Sequence, residues 1–182
     1  MSARIEIVPY DPEWPRLFAQ LAERLRDALG TTALRIDHIG STSVPDLDAK
    51  PIVDVQISVA DFEPMDAYRA PLERLGFVFR ADNTERTKRY FREAPGTRRT
   101  HVHVRRAGSW AEQFNLLFRD YLRVHADDAR AYAAFKRELA ARFGADRQGY
   151  TDAKDPYIWS EVMWRADRWS QAVGWWAGRS DA

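Results

Sequence analysis

Residues 38 to 57, "HIGSTSVPDLDAKPIVDVQI", decide how the rest of the chain is read. The stretch opens on a Gly-Ser turn at Gly40 and Ser41, passes through a loop holding Pro45 and Pro51, and ends in an apolar run that carries one carboxylate, Asp54. Alternation along a strand puts Val53, Val55, Ile57 and Val59 on one face and Asp54, Gln56 and Ser58 on the other. A glycine in the turn lets backbone approach a phosphate without a Cβ in the way, and a serine hydroxyl with successive N–H groups can bind the phosphate oxygens. A carboxylate on the next strand can hold a hard cation that bridges to the same phosphates. Buried without a partner, Asp54 would be costly. It therefore reads as lining a cleft, against the plainer alternative of a salt bridge to one of the chain's many arginines.

On the N-terminal side, residues 11 to 30 read as a helix. Asp11 caps it, Pro12 and Pro15 fall in its first turn, Gly30 ends it, and Trp14, Leu17, Phe18, Leu21, Leu25 and Leu29 form one apolar stripe. "TALRIDHIG" follows as a strand, "PIVDVQISV" as a second, and residues 61 to 75 recover helical spacing before Gly76. "FVFRA", "TKRYFRE" and "TRRTHVHVRRA" are further strand candidates, the last two joined by an "APG" turn. From Ser109 the pattern is helical. Two amphipathic helices cover residues 109 to 144, and a third is expected to start after Pro156. The prediction is one domain over 1 to 182, with a mixed α/β core to residue 108 and a helical part over 109 to 182.

Composition narrows the function classes. A length of 182 residues suits a single domain, and 45% hydrophobic with 30% charged residues is the balance of an ordinary soluble globule. The count of 28 Lys and Arg against 27 Asp and Glu gives no general attraction to nucleic acid or to a membrane. Without cysteine the chain has no disulfide, thiolate nucleophile or Cys-ligated zinc. No apolar run reaches signal-peptide or membrane-spanning length, so a cytoplasmic protein is expected.

Ile39-Gly40-Ser41, followed after twelve residues by Asp54-Val55-Gln56-Ile57, resembles the nucleotidyltransferase superfamily signature. That resemblance assigns Gly40 and Ser41 to phosphate contact and Asp54 to the first metal-binding, catalytic carboxylate; Gln56 stands where the pattern has Asp or Glu. More closely, "HIGSTSVPDLDAKPIVD", "RTHVHV", "FRDYLRVH" and "YAAFKRELA" resemble the GrpB-like family. This implies the nucleotidyltransferase-like fold, a mixed sheet with flanking helices, in a family whose activity is poorly defined.

The residues sharpen that picture. Two-metal phosphoryl transfer needs several carboxylates around ions about 3.5–4 Å apart, so Gln56 disfavours such a site. His101 and His103 share a strand face, and with Asp54 would make a mixed nitrogen and oxygen site suited to manganese or zinc better than to magnesium. The alternative is two hydrogen-bonded histidines on a half-buried strand. His38 reads as structural. Lys50, Arg89, Arg92, Arg99, Arg119 and Lys136 are candidate anion binders, with Lys50 and Arg92 the best placed; Lys88, Tyr90 and Arg92 share one strand face. Trp159 and Trp164 read as core anchors, while Trp175 and Trp176 read as covering a groove or serving self-association. The leading expectation is metal-dependent transfer of a nucleotidyl or phosphoryl group to a small acceptor, with a nucleotide or other phosphorylated small molecule as ligand. The alternatives are a non-catalytic nucleotide- or phosphate-binding module and a metal-dependent hydrolase using the histidines.

Overall fold

The computed structural model describes residues 4–182. Strands β1 (Arg35–Ile39), β2 (Val53–Val59), β3 (Phe77–Phe79), β4 (Arg89–Glu93) and β5 (Thr100–Arg106) form a sheet in the order β1-β2-β5-β4-β3. The central β2 and β5 run parallel, and every other neighbouring pair is antiparallel. Helices α1 (Glu13–Leu29) and α2 (Asp66–Arg74) precede or interrupt the strands. Helices α3 (Trp110–Val124), α4 (Ala126–Phe143), α5 (Arg147–Tyr157) and α6 (Trp164–Val173) follow them. The mixed sheet with flanking helices and a helical C-terminal part is the architecture expected from the sequence.

The two faces of the sheet follow from alternation. Val53, Val55, Ile57, Val59, Val102, Val104 and Phe91 pack with Phe18, Ala22, Leu25 and Leu29 of α1 and with Tyr68 and Leu72 of α2 into the main core. The apolar stripe of α1 thus finds the apolar face of the sheet. Asp11 begins that helix, its Oδ1 accepting from the Glu13 N–H at 2.9 Å. The opposite face is polar: the register sets Asp37 beside Gln56, Asp54 beside His101, Gln56 beside His103, and Arg92 and Tyr90 beside His101 and His103.

Helix α3 closes part of this polar face. Gln56 is fully buried; its Nε2 donates to the Glu112 carbonyl at 3.3 Å and its Oε1 accepts from Asn115 Nδ2 at 3.3 Å. The buried Glu112 carboxylate accepts from Ser58 Oγ and from the Gly108 N–H. At the outer edge, the C-terminal residues run along β1. Ser180 Oγ accepts from the Ile36 N–H at 2.8 Å, the Ala182 N–H donates to the Ile36 carbonyl at 3.1 Å, and Asp181 Oδ2 accepts from the His38 N–H at 2.9 Å. Those bonds satisfy an edge strand that would otherwise expose its ladder.

Two expectations fail in the helical part. The third helix begins at Arg147, not after Pro156, because Asp146 caps it by accepting from the Gly149 N–H at 2.9 Å. Pro156 lies inside α5, and the backbone widens directly beyond it into a π-helical turn, Ile158–Met163. Trp159 and Trp164 do not anchor the core. They are 50% and 56% exposed, and Trp159 stacks on Trp110 at 5.5 Å. They help line a cavity of about 470 Å³ with Phe114, Met163 and Trp175. No helix of the described residues is long and apolar enough to cross a membrane.

Candidate metal and phosphate site

Asp54 is the second residue of β2 and His101 the second of β5, so the parallel register brings them side by side. His103 follows on the same face one alternation later. Asp54 Oδ1 lies 3.2 Å from His101 Nδ1 and 3.3 Å from His103 Nε2. A ligand atom from each of the three residues falls within 4.8 Å of the others. Tyr90 walls the cluster, its ring 5.5 Å from that of His101 and 5.2 Å from that of His103. Among the described residues the polar partners of Asp54 are these histidines.

The electrostatics suit a cation. Burial pushes the Asp54 carboxyl up, yet the hydrogen bonds and charge of His101 and His103 outweigh it, and the group titrates well below the usual carboxylate range. Burial holds His103 down at about 4, against the pull of Asp54. At neutral pH the aspartate is therefore ionised and His103 neutral, the states in which both act as ligands. Zinc-like bond lengths of about 2.0–2.2 Å place tetrahedral ligand atoms roughly 3.3–3.6 Å apart; the separations of Asp54 Oδ1 from the two ring nitrogens, 3.2 and 3.3 Å, lie at or just below the short end of that range. The remote nitrogens, His101 Nε2 and His103 Nδ1, are buried with no hydrogen-bond partner. The donor set, two imidazoles and one carboxylate, fits a transition metal.

The Gly-Ser turn lies against this cluster. Gly40 has φ 70° and ψ −172°, and a Cβ built on it would stand 2.9 Å from Asp54 Oδ2. Only glycine admits both the backbone conformation and the carboxylate. Ser41 Oγ accepts from Lys136 Nζ at 2.9 Å, so α4 delivers an ammonium group to the turn. Thr42 Oγ1 donates to the Ile52 carbonyl at 3.1 Å and accepts from His38 Nε2 at 3.0 Å, and the His38 ring stacks on Phe18 at 4.8 Å. His38 is thus a structural support, as its position suggested.

Of the basic candidates, Lys50 sits over the Tyr150 ring at 4.8 Å, and burial lowers its pKa to about 8. Arg92 stands opposite His101 on the site's face but binds Glu93 at 2.9 Å. Arg89 occupies the other face, over Phe62. Arg119 is buried and held by Asp181 at 2.8 Å and Asp120 at 2.7 Å, so its work is structural. Lys154 and Tyr150 went unread in the sequence because α5 was not recognised; the Asp146 cap was the available signal.

Fold and site together define a class: a mixed-sheet α/β protein that gathers one carboxylate and two histidines across a parallel strand pair, beside a Gly-Ser turn. The chain belongs to the GrpB family, whose model, described as GrpB protein, matches residues 4–163. It is 44% identical over 167 residues to a UPF0157 protein of Pseudomonas aeruginosa, covering 90% of this chain and 68% of that one. It is 34% identical over 198 residues to a protein named dephospho-CoA kinase from Mycolicibacterium paratuberculosis, covering 95% of this chain and 48% of the relative. The chain therefore spans about half the length of that relative. The crystal structure of conserved protein GrpB from Enterococcus faecalis superposes with a TM-score of 0.80 at 32% identity, covering 90% of this chain and 99% of that one.

Proposed function

We propose that Asp54, His101 and His103 hold a divalent transition metal and that the chain uses it to transfer a nucleotidyl or phosphoryl group from a nucleotide-type substrate to a small acceptor. The observation that carries this reading is the convergence of the Asp54 carboxylate with both histidines directly against the Gly40 turn. A bound cation would neutralise phosphate charge and polarise the reacting phosphoryl group. Gly40 lets the turn's backbone lie directly against the Asp54 carboxylate, so that a phosphate bound by the turn would stand beside a cation held at Asp54. Ser41 and Lys50 bind that phosphate, and Tyr90 keeps the histidine rings in place. The relatives named dephospho-CoA kinase lend support to nucleotide-related transfer, although this chain spans only about half of each.

A second reading, a non-catalytic nucleotide- or phosphate-binding module, is favoured by one observation. Gln56 is buried under α3 and bonded to Asn115, so no second carboxylate stands beside Asp54 on β2. The test is release of phosphate or pyrophosphate from labelled triphosphates with magnesium, manganese and zinc in turn, across a panel of small acceptors. Turnover that needs manganese or zinc and falls by orders of magnitude in Asp54→Asn is expected. Turnover indifferent to Asp54→Asn overturns the assignment, and binding without turnover selects the module.

A further inference from the structure

Lys136 is the least explained charge in the molecule. It is 3% exposed, and its ammonium group meets only neutral acceptors, Ser41 Oγ at 2.9 Å and the Asp48 carbonyl at 2.5 Å. The Asp48 carboxylate is taken by Arg137 and by the Tyr10 N–H. Burying an ammonium ion without a counter-charge is costly, and such a group gives up its proton more readily. Two more lysines crowd the same place. Lys50 lies over the Tyr150 ring at 4.8 Å and Lys154 over it at 5.9 Å, while Lys136 lies over the Tyr132 ring at 4.6 Å. Neither Lys50 nor Lys154 has a carboxylate partner among the described residues. Their mutual repulsion is felt: burial lowers Lys136 well below its ordinary value, and Lys154 and Lys50 lower it further. A second unexplained polar atom, the Tyr150 hydroxyl, is buried with no hydrogen-bond partner.

Cation–π contacts offset part of this cost but supply no counter-charge. An anion at this place would remove the repulsion and give Lys136 its missing counter-charge. Asp54 is the carboxylate whose field raises Lys50, and no carboxylate accepts from any of the three lysine nitrogens among the described residues. A single carboxylate has too few oxygens to meet three lysine nitrogens; a phosphate chain has enough.

We propose that Lys136, over Tyr132 at the Ser41 turn, and Lys50 and Lys154, over Tyr150, form a polyphosphate subsite that takes the diphosphate or triphosphate portion of the substrate. This deepens the function proposed above and rests on it for the role of the bound chain, but binding at the lysines requires no metal. Helices α4 and α5 thereby acquire a purpose: α4 brings Lys136 to the turn, and α5 brings Tyr150 and Lys154 to Lys50.

The experiment titrates the full chain with inorganic tripolyphosphate, inorganic phosphate and acetate by calorimetry in the presence of a chelator. The metal-free condition separates this claim from the metal site. Tripolyphosphate is expected to bind at least tenfold more tightly than inorganic phosphate, with acetate silent. Lys136→Met should weaken tripolyphosphate at least tenfold while leaving the unliganded melting temperature unchanged or higher, because the buried charge is gone. Lys154→Met, at a half-buried position, should weaken it several-fold and guards against a folding failure of the first variant. A nucleoside triphosphate that binds as tightly as tripolyphosphate, or more so, identifies a nucleotide as the source of the chain; weaker binding identifies a different polyphosphate ester, and both support the subsite. Absence of tripolyphosphate binding at millimolar concentration, or equal binding by wild type and both variants, overturns it. Metal binding lost in Asp54→Asn with tripolyphosphate binding retained would sustain the metal reading independently of the lysine subsite, and metal binding unchanged in Asp54→Asn would sink the metal reading alone.

Discussion

The Gly40 α-carbon faces the Asp54 carboxylate so closely that a methyl group there would stand 2.9 Å from Oδ2. Glycine is required twice over at this position, by space and by its φ of 70°. Gly40→Ala should therefore lower stability by about 1–3 kcal/mol from backbone strain and displace Asp54 from the two histidines. Urea unfolding and metal titration on the same variant check both effects. A variant with wild-type stability and metal affinity would show that the turn does not position the carboxylate.

Gln56 occupies the place where the superfamily pattern has a second acid, yet its amide serves α3. A carboxylate there would keep the Asn115 donor but lose its own bond to the Glu112 carbonyl, and would bury a charge on the face that holds the Glu112 carboxylate. Gln56→Glu should destabilise the fold by about 1–3 kcal/mol, more where the new group is ionised, and should not create magnesium dependence. Denaturation midpoints at pH 5 and pH 8 test this; gained magnesium-dependent turnover with unchanged stability would contradict it.

His38 supplies a pH signature. Burial lowers its pKa to about 4, against the pull of Asp54 and with Arg123 and Arg119 assisting. The unfolded chain then binds a proton near pH 6.5 that the folded chain refuses until about pH 4, so stability is full above pH 6.5 and declines as pH falls through that window. At 1.36 kcal/mol per pH unit the contribution is roughly 3 kcal/mol. Melting curves between pH 4 and 7 should be flatter for His38→Gln than for wild type, and identical slopes would refute the assignment.

Much of the sheet was legible because its chemistry is periodic. Alternating Val53, Val55 and Ile57 against Asp54, Gln56 and Ser58 announces a strand with one core face, and the same alternation aligns His101 with His103. The α1 stripe is equally plain in Phe18, Leu25 and Leu29. What the sequence hid depends on tertiary partners. Nothing local tells that Gln56 is captured by Asn115 fifty-nine positions later, or that Arg119 is neutralised by Asp181 at the other end of the helical part. Pro156 masked α5, since an isolated proline reads as a boundary, and the tryptophans of "YIWSEVMW" were misplaced because helical spacing does not say which side meets the core. In the sequence Lys136 is one basic residue among many; only burial without a counter-charge distinguishes it from solvated neighbours.

The central claim is that Asp54, His101 and His103 act together as one metal centre. Its most direct test is calorimetric titration of the metal-stripped chain with zinc and with manganese, for wild type, Asp54→Asn and His103→Ala. The account predicts a single ion bound per wild-type chain and affinity reduced roughly 100-fold or more in each variant, beyond the 10–100-fold cost of losing a mere supporting group. A wild type that binds neither metal, or variants that bind as tightly as wild type, would contradict it.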